Sequence, residues 1–269
     1  MTEQVPLSGG NQTVVVRAGA TVRRSTGPWT PAVHALLSHL EARGFDGAPW
    51  ALGVDEEGRE VLAYIEGETG FFDPSESPTV PASLWSDEVL VATAGLLRRL
   101  HEATGGFKPP IGAAWRVVYP DAARHEIICH NDFAYYNLVY RGGLPRAVID
   151  FDMAGPGPRA WDVAYAAYRS VPLYADLRCV GLGADPVRAQ CRRLRLFCDA
   201  YGLAERADFA ELIVRRVDAI RDLITAEATA GNQRMQQSID EGHLAGYAQD
   251  LLLLDRYSTN FQAALEAER

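Results

Sequence analysis

Along the chain the hydrophobic positions change period. Near the N-terminus they come in short β-branched runs: residues 13–18 (TVVVRA) and 20–24 (ATVRR), separated by Gly19, predict a tight hairpin. Residues 31–43 then place Val33, Leu36, Leu37 and Leu40 at helical spacing. Thr30 is the N-cap candidate, Pro31 suits the first helical position, and Gly44 ends the helix. Residues 50–54 and 60–65 bracket the polar turn DEEG and predict a second hairpin, so this segment reads β-β-α-β-β. Residues 66–81 hold three prolines and two glycines and read as a linker. Beyond it, Asp87–Ala103 aligns Leu90, Ala94, Leu97 and Leu100 in one helical stripe. Three short strands follow at 127–129, 138–140 and 147–149, the last two joined by RGGLP. From Arg159 onward the pattern is helical throughout, including 209–230 and 244–266. The expectation is an α+β chain with a small β-rich N-terminal lobe, residues 1–68, and a larger, mainly helical lobe, residues 69–269.

Composition narrows the class without changing this picture. The chain has 269 residues, 48% hydrophobic and 23% charged, ordinary values that exclude disorder as the main state. A formal net charge of −9 argues against a nucleic-acid partner. Cys129, Cys179, Cys191 and Cys198 form no CxxC pair, which reads as reduced thiols in a cytoplasmic protein. No apolar run approaches 18 residues and the first thirty hold no signal-peptide core, so neither secretion nor a membrane partner is expected. Of the 26 basic residues, only Lys108 is a lysine.

The candidate chemistry lies in ICHNDFAYYNLVYRGGLPRAVIDFDMAGPGPRAWD, residues 128–162. It contains His130-x-Asp132, Asn137 five residues after the aspartate, and Asp150-Phe151-Asp152 beyond a hairpin. Phosphoryl transfer asks mostly for positioning and charge neutralisation. One carboxylate must orient or deprotonate the attacking hydroxyl, while a carboxylate and an amide oxygen suit Mg²⁺ held against phosphates. Asp132 fits the first task, and Asp150 with Asn137 the second. Asp152 is either a further metal contact or a solvated carboxylate.

This stretch resembles the aminoglycoside phosphotransferase and choline-kinase-like family, relatives of the protein-kinase fold. HNDFAYYN is similar to its catalytic loop HxDxxxxN, and IDFD to its metal-binding segment, with Asp150 in the place of the kinase DFG aspartate. Asp162, in PGPRAWDVAYA, resembles the aspartate that braces that loop, with His130 a second brace; LLRRLHEAT resembles the helix before the catalytic region. The resemblance implies a two-lobed fold, Mg²⁺ and ATP or GTP as cofactors, and a hydroxylated small-molecule acceptor.

On the nucleotide side the chain departs from the family. The usual phosphate-contacting lysine has no counterpart, since no lysine occurs in the first 107 residues. Arg23 or Arg24 stands there instead. Successive strand residues face opposite sides, so one of the two enters the cleft, and Arg24, last before the loop, is preferred. Arginine keeps the charge and adds a bidentate fork. The usual helix glutamate is also missing, its place taken by Val33 or His34. Gly9 and Gly10 in LSGGNQT are candidates to cover phosphates through backbone N–H groups, and Tyr64 and Ile65 to form the adenine hinge. In residues 171–269, 15 acids against 12 arginines leave a slight excess for a cationic acceptor, and Asp218, Asp222 and Glu227 recur near helical spacing. A salt-bridged exposed face with Arg215 and Arg221 is the preferred explanation of them. A catalytically quiet binding or immunity protein that sequesters a toxin or antibiotic is the alternative function.

Overall fold

The computed structural model describes residues 4–7, 15–70, 82–175, 182 and 184–267. The chain divides into two compact units, Met1–Phe72 with Leu96–Asp162, and Asp73–Gly95 with Val163–Arg269. In this grouping the segment expected to carry the chemistry, residues 128–162, falls in the same unit as the N-terminal sheet.

In the first unit, β1 (Gln4–Pro6), β2 (Val16–Ala18), β3 (Thr21–Ser25), β4 (Ala51–Val54) and β5 (Arg59–Ala63) form one antiparallel sheet in the order β1-β2-β3-β5-β4. Gly19 opens the two-residue β2–β3 turn at φ +61°, a conformation that costs glycine little. Between β3 and β4 runs α1 (Thr30–Ala42), which buries Val33, Leu36, Leu37 and Leu40. Thr30 is not its cap: Trp29 holds that position without a side-chain bond, and the Thr30 hydroxyl accepts the Gly27 N–H at 2.9 Å.

The residues read as a linker contain a strand, β6 (Glu68–Thr69). After α2 (Asp87–Ala103) come β7 (Ile127–Cys129), β8 (Leu138–Arg141), β9 (Leu144–Val148) and β10 (Gly155–Gly157). β6 pairs with β8, which pairs with β9, while β10 pairs with β7. Gly142 and Gly143 turn the β8–β9 hairpin, both at positive φ. The Val148 N–H donates to the Gly47 carbonyl at 2.9 Å, tying this hairpin to the loop after α1. β10 exists because its glycines allow close approach: a Cβ on Gly155 would lie 1.7 Å from the Val117 carbonyl oxygen.

The second unit is helical. It takes the first part of α2, most of α3 (Arg159–Ser170), and α4 (Pro186–Tyr201), α5 (Phe209–Thr229), α6 (Gln233–Asp240) and α7 (His243–Glu266). Its core holds Phe197, Phe209, Leu254 and Phe261. The buried Asp250 carboxylate accepts the Tyr168 hydroxyl at 2.6 Å and the Ala175 N–H at 2.7 Å. No helix among the described residues is long and apolar enough to cross a membrane. Cys129, Cys191 and Cys198 are free thiols, and Cys179 lies outside the described residues.

Candidate active site

The candidate catalytic, metal-ligand and nucleotide-side residues all belong to the first unit. The turn between β7 and β8 carries the HNDFAYYN segment. Asn131 adopts the left-handed conformation at φ +64°, which asparagine tolerates better than most residues, and its side chain donates to the Met153 carbonyl at 3.0 Å. The half-buried Asp132 carboxylate accepts the Tyr136 hydroxyl at 2.8 Å and the Asn137 amide at 2.9 Å. Asn137 also donates to the Asp132 carbonyl at 3.0 Å, and its Oδ1 has no partner among the described residues. His130 has both ring nitrogens engaged: Nδ1 accepts the Asp132 N–H at 3.3 Å and Nε2 faces the Ile149 carbonyl at 3.1 Å. That geometry suits a brace rather than a base.

Beneath the loop lies Asp162, fully buried at the first turn of α3. Its carboxylate accepts the N–H groups of His130 at 2.7 Å and Asn131 at 2.8 Å, with His101 Nε2 of α2 at 3.0 Å. Burial by itself would raise the Asp162 pKa, but the His101 bond and the further donors hold it below the usual carboxylate range. Burial also lowers the His101 pKa, so a neutral imidazole donates to an ionised carboxylate.

The β8–β9 hairpin aligns the second pair of candidates: the Ile149 N–H donates to the Asn137 carbonyl at 2.9 Å, one residue before Asp150. Asp150 sits at φ +65°. Such left-handed non-glycine positions cost on the order of 1 kcal/mol or more and collect at functional sites.

Arg24 and Arg23 point to opposite faces of β3. Arg23 meets Thr21 at 2.6 Å and Asp55 at 3.4 Å. Arg24 is buried and touches three carboxylates: Nε donates to Glu60, Nη1 to Asp150 at 2.7 Å, and Nη2 to Asp152 at 2.5 Å. Burial opposes its charge, but the three carboxylates more than offset that and raise its pKa far above the normal arginine value. Asp152 is therefore not a solvated carboxylate; burial raises its pKa, with Arg24 opposing. The partner that sequence reading sought on α1 comes from β5: Glu60 is the cross-strand neighbour of Arg24, and its other oxygen lies 2.9 Å from His34 of α1. Alternation along β5 puts Glu60 on the Leu62 face, but only strand pairing shows which arginine it meets.

The proposed hinge residues follow β5. The Tyr64 N–H is already donated to the Ala20 carbonyl at 2.9 Å, and the Arg17 guanidinium lies 3.7 Å from the Tyr64 ring centre. Ile65 is half-buried beside it. Gly9 and Gly10 lie outside the described residues. In the second unit Asp218 and Asp222 are exposed on α5, Asp218 accepts from Arg221 at 2.8 Å, and Glu227 accepts from Asn232 at 2.8 Å. Of these acids, Asp218 forms a salt bridge on the helix surface and Glu227 accepts from a neutral amide.

The donors fit a hard divalent cation: two carboxylates and an amide oxygen are the oxygen ligands Mg²⁺ takes. No cluster of three or more His, Cys, Asp or Glu among the described residues is arranged to hold a metal, so phosphate and water oxygens would have to complete the shell.

A loop that holds an aspartate against an asparagine, followed by a hairpin that ends in a second aspartate beside a strand-borne cation, matches the layout of the protein-kinase-like phosphotransferases. The chain belongs to this aminoglycoside phosphotransferase and choline-kinase-like family. Residues 107–197 match the family model described as phosphotransferase enzyme family. The chain is 39% identical over 222 residues to the trifolitoxin immunity protein of Rhizobium leguminosarum bv. trifolii, covering 80% of each protein. Among solved structures it is similar in fold to a choline/ethanolamine kinase family protein from Mesorhizobium loti, with a TM-score of 0.60 at 17% identity over 98% of this chain and 92% of that one. It is likewise similar to aminoglycoside 2′-phosphotransferase-IIIa solved with GDP, with a TM-score of 0.61 at 12% identity over 97% and 93% of the two chains.

Proposed function

We propose that this protein is a small-molecule kinase that moves the γ-phosphoryl group of ATP or GTP to a hydroxyl of a small metabolite or antibiotic. The observation that carries this reading is the Asp132–Asn137 bond at 2.9 Å, which joins the base candidate to a metal-ligand candidate in one short loop. In the reaction the acceptor oxygen forms a bond to the γ-phosphorus and the bond to the β-phosphate bridging oxygen breaks. Asp132 takes the hydroxyl proton. Asn137 and Asp150, with Asp152 alongside, would hold Mg²⁺, which supplies charge neutralisation at the phosphates. Arg24 adds a guanidinium to the same phosphates. Asp162, His130 and His101 hold the loop and take no part in proton transfer. The chain would act in the cytoplasm without a nucleic-acid or membrane partner.

A second reading has its own support. The 39% identical relative is named an immunity protein, and Arg24 is already held by the carboxylates that the first reading gives to the metal. On this view the chain binds and sequesters a toxin or antibiotic without turnover.

A nucleotide-consumption assay against a panel of hydroxylated metabolites and antibiotics separates the two. Acceptor-dependent release of nucleoside diphosphate that Asp132→Asn abolishes supports the kinase. Tight binding of a panel member with no turnover, unchanged by Asp132→Asn, supports sequestration.

A further inference from the structure

Arg24 occupies the two carboxylates that the phosphotransferase reading assigns to the metal. Its three donor directions are divided unequally. Nε is committed to Glu60, which is 1% exposed, lies directly across the strand pair and is held on its other oxygen by His34. Nη1 and Nη2 reach two residues brought from more than a hundred positions away, and the Asp150 side chain is 40% exposed. One end of the guanidinium is therefore anchored in the sheet while the other rests on two carboxylates, Asp150 open to solvent and Asp152 largely buried. The charge cannot be removed by deprotonation, since an arginine among carboxylates stays protonated. The contact can change only by movement of the side chain or its partners. A divalent ion on Asp150 and Asp152 would compete with the guanidinium for the same oxygens and repel it. Phosphate oxygens are good alternative partners for the same fork.

We propose that Arg24 is an exchangeable counter-cation that determines when the Asp150–Asp152 pair admits a metal. Without nucleotide it neutralises the pair and keeps a divalent ion out. Nucleotide phosphates draw its Nη groups away while Glu60 keeps the stem in place, and the freed carboxylates then take the ion. This rests on the phosphotransferase reading and deepens it: nucleotide and metal bind cooperatively, each strengthening the other by the same factor. A lysine could not substitute fully, because one ammonium does not span three carboxylates in three directions.

The test titrates Mn²⁺ into the full chain, following free Mn²⁺ by electron paramagnetic resonance, with and without ADP. Wild type should bind Mn²⁺ weakly alone and on the order of tenfold more tightly with ADP. Arg24→Gln should bind Mn²⁺ alone on the order of tenfold more tightly than wild type and lose most of the ADP enhancement. Arg24→Lys, which retains one charge, should fall between them and serves if the glutamine variant does not fold. Arg221→Gln removes the same charge from the exposed face of α5 and should match wild type. The inference is overturned if neither Arg24 variant gains affinity for Mn²⁺ alone, or if Arg221→Gln gains as much. Those outcomes leave the kinase reading standing whenever ADP still binds, whereas a wild type that binds no ADP with or without Mn²⁺ overturns both.

Discussion

Asp162 and the Asp150–Asp152 pair are carboxylates of one compact unit, yet they are held by partners of different kinds. Asp162 is enclosed by two backbone N–H groups, which cannot leave without unfolding the loop, and by a neutral imidazole from α2. Asp150 and Asp152 share one long side chain anchored elsewhere, on Glu60, with the Trp29 side chain also hydrogen-bonded to Asp152. Fixed dipoles make a scaffold and a tethered cation makes an exchangeable contact, because a backbone donor has no other conformation to adopt while an arginine has several. On the proposed reading, the loop brace Asp162 is rigid while Arg24 is the exchangeable partner.

The sharpest way to break this comparison is at Asp132, which the rigid region positions. Asp132→Asn should lower phosphoryl transfer about 10²- to 10⁴-fold while nucleotide affinity changes little. Single-turnover transfer paired with nucleotide titration checks this, and retained transfer would end the base assignment. Next come the two carboxylate holders themselves. Asp162→Ala strands the N–H groups of His130 and Asn131 in a buried site, and Arg24→Ala leaves the buried Glu60 with only His34. Each should cost about 3–5 kcal/mol in urea unfolding, as removal of one partner from a buried ionic cluster does. The comparison sharpens if bound Mg-ADP recovers stability for wild type but not for Arg24→Ala. Gly155→Ala should cost about 1–3 kcal/mol, because its Cβ meets the Val117 carbonyl and the backbone must shift.

A smaller effect comes from pH. Because the folded His101 pKa lies below its unfolded value near ~6.5, the unfolded state binds more protons just below that pH. Stability should thus fall as pH drops below about 6.5. His101→Gln should remove that part of the decline in denaturation midpoints between pH 7.5 and 5.5, and an undiminished decline would show that another group titrates there. Asp162 acts lower: its folded pKa is depressed, so its contribution is complete above the usual carboxylate range and lost as pH falls through the folded pKa. Least affected should be Arg23→Ala, at about 0–1 kcal/mol in the same unfolding measurement, since its Asp55 contact at 3.4 Å is partly exposed.

Much of the architecture is visible in the residue pattern. The expected helix at 87–103 coincides with α2, and the strand at 127–129 with β7, because long apolar stripes and β-branched runs carry their period in the local sequence. Three strands gave no such signal, β1 (Gln4–Pro6) among them, since the first expected strand begins at residue 13. β6 has two residues, too few for alternation, and β10 is Gly-Pro-Gly, which reads as a turn although close approach to Val117 is the reason glycine is there. Thr30 lies inside the helix rather than at its cap, and its hydroxyl closes a turn back to Gly27.

The same line runs through the candidate site. The sequence alone determined the relations that span a few residues: Asp132 five positions before Asn137, a Gly-Gly hairpin ending at Asp150, and two adjacent arginines on opposite faces of a strand. Only the tertiary structure decided that Arg24 is the inward one, that its carboxylate partner is Glu60 across the sheet rather than a residue of α1, and that Asp150 and Asp152 meet it across 126 and 128 positions. Alternation states that a strand has two faces and spacing states which residues share one. Which face meets which carboxylate depends on strand register and on loop closures over long distances, and a local pattern does not encode either.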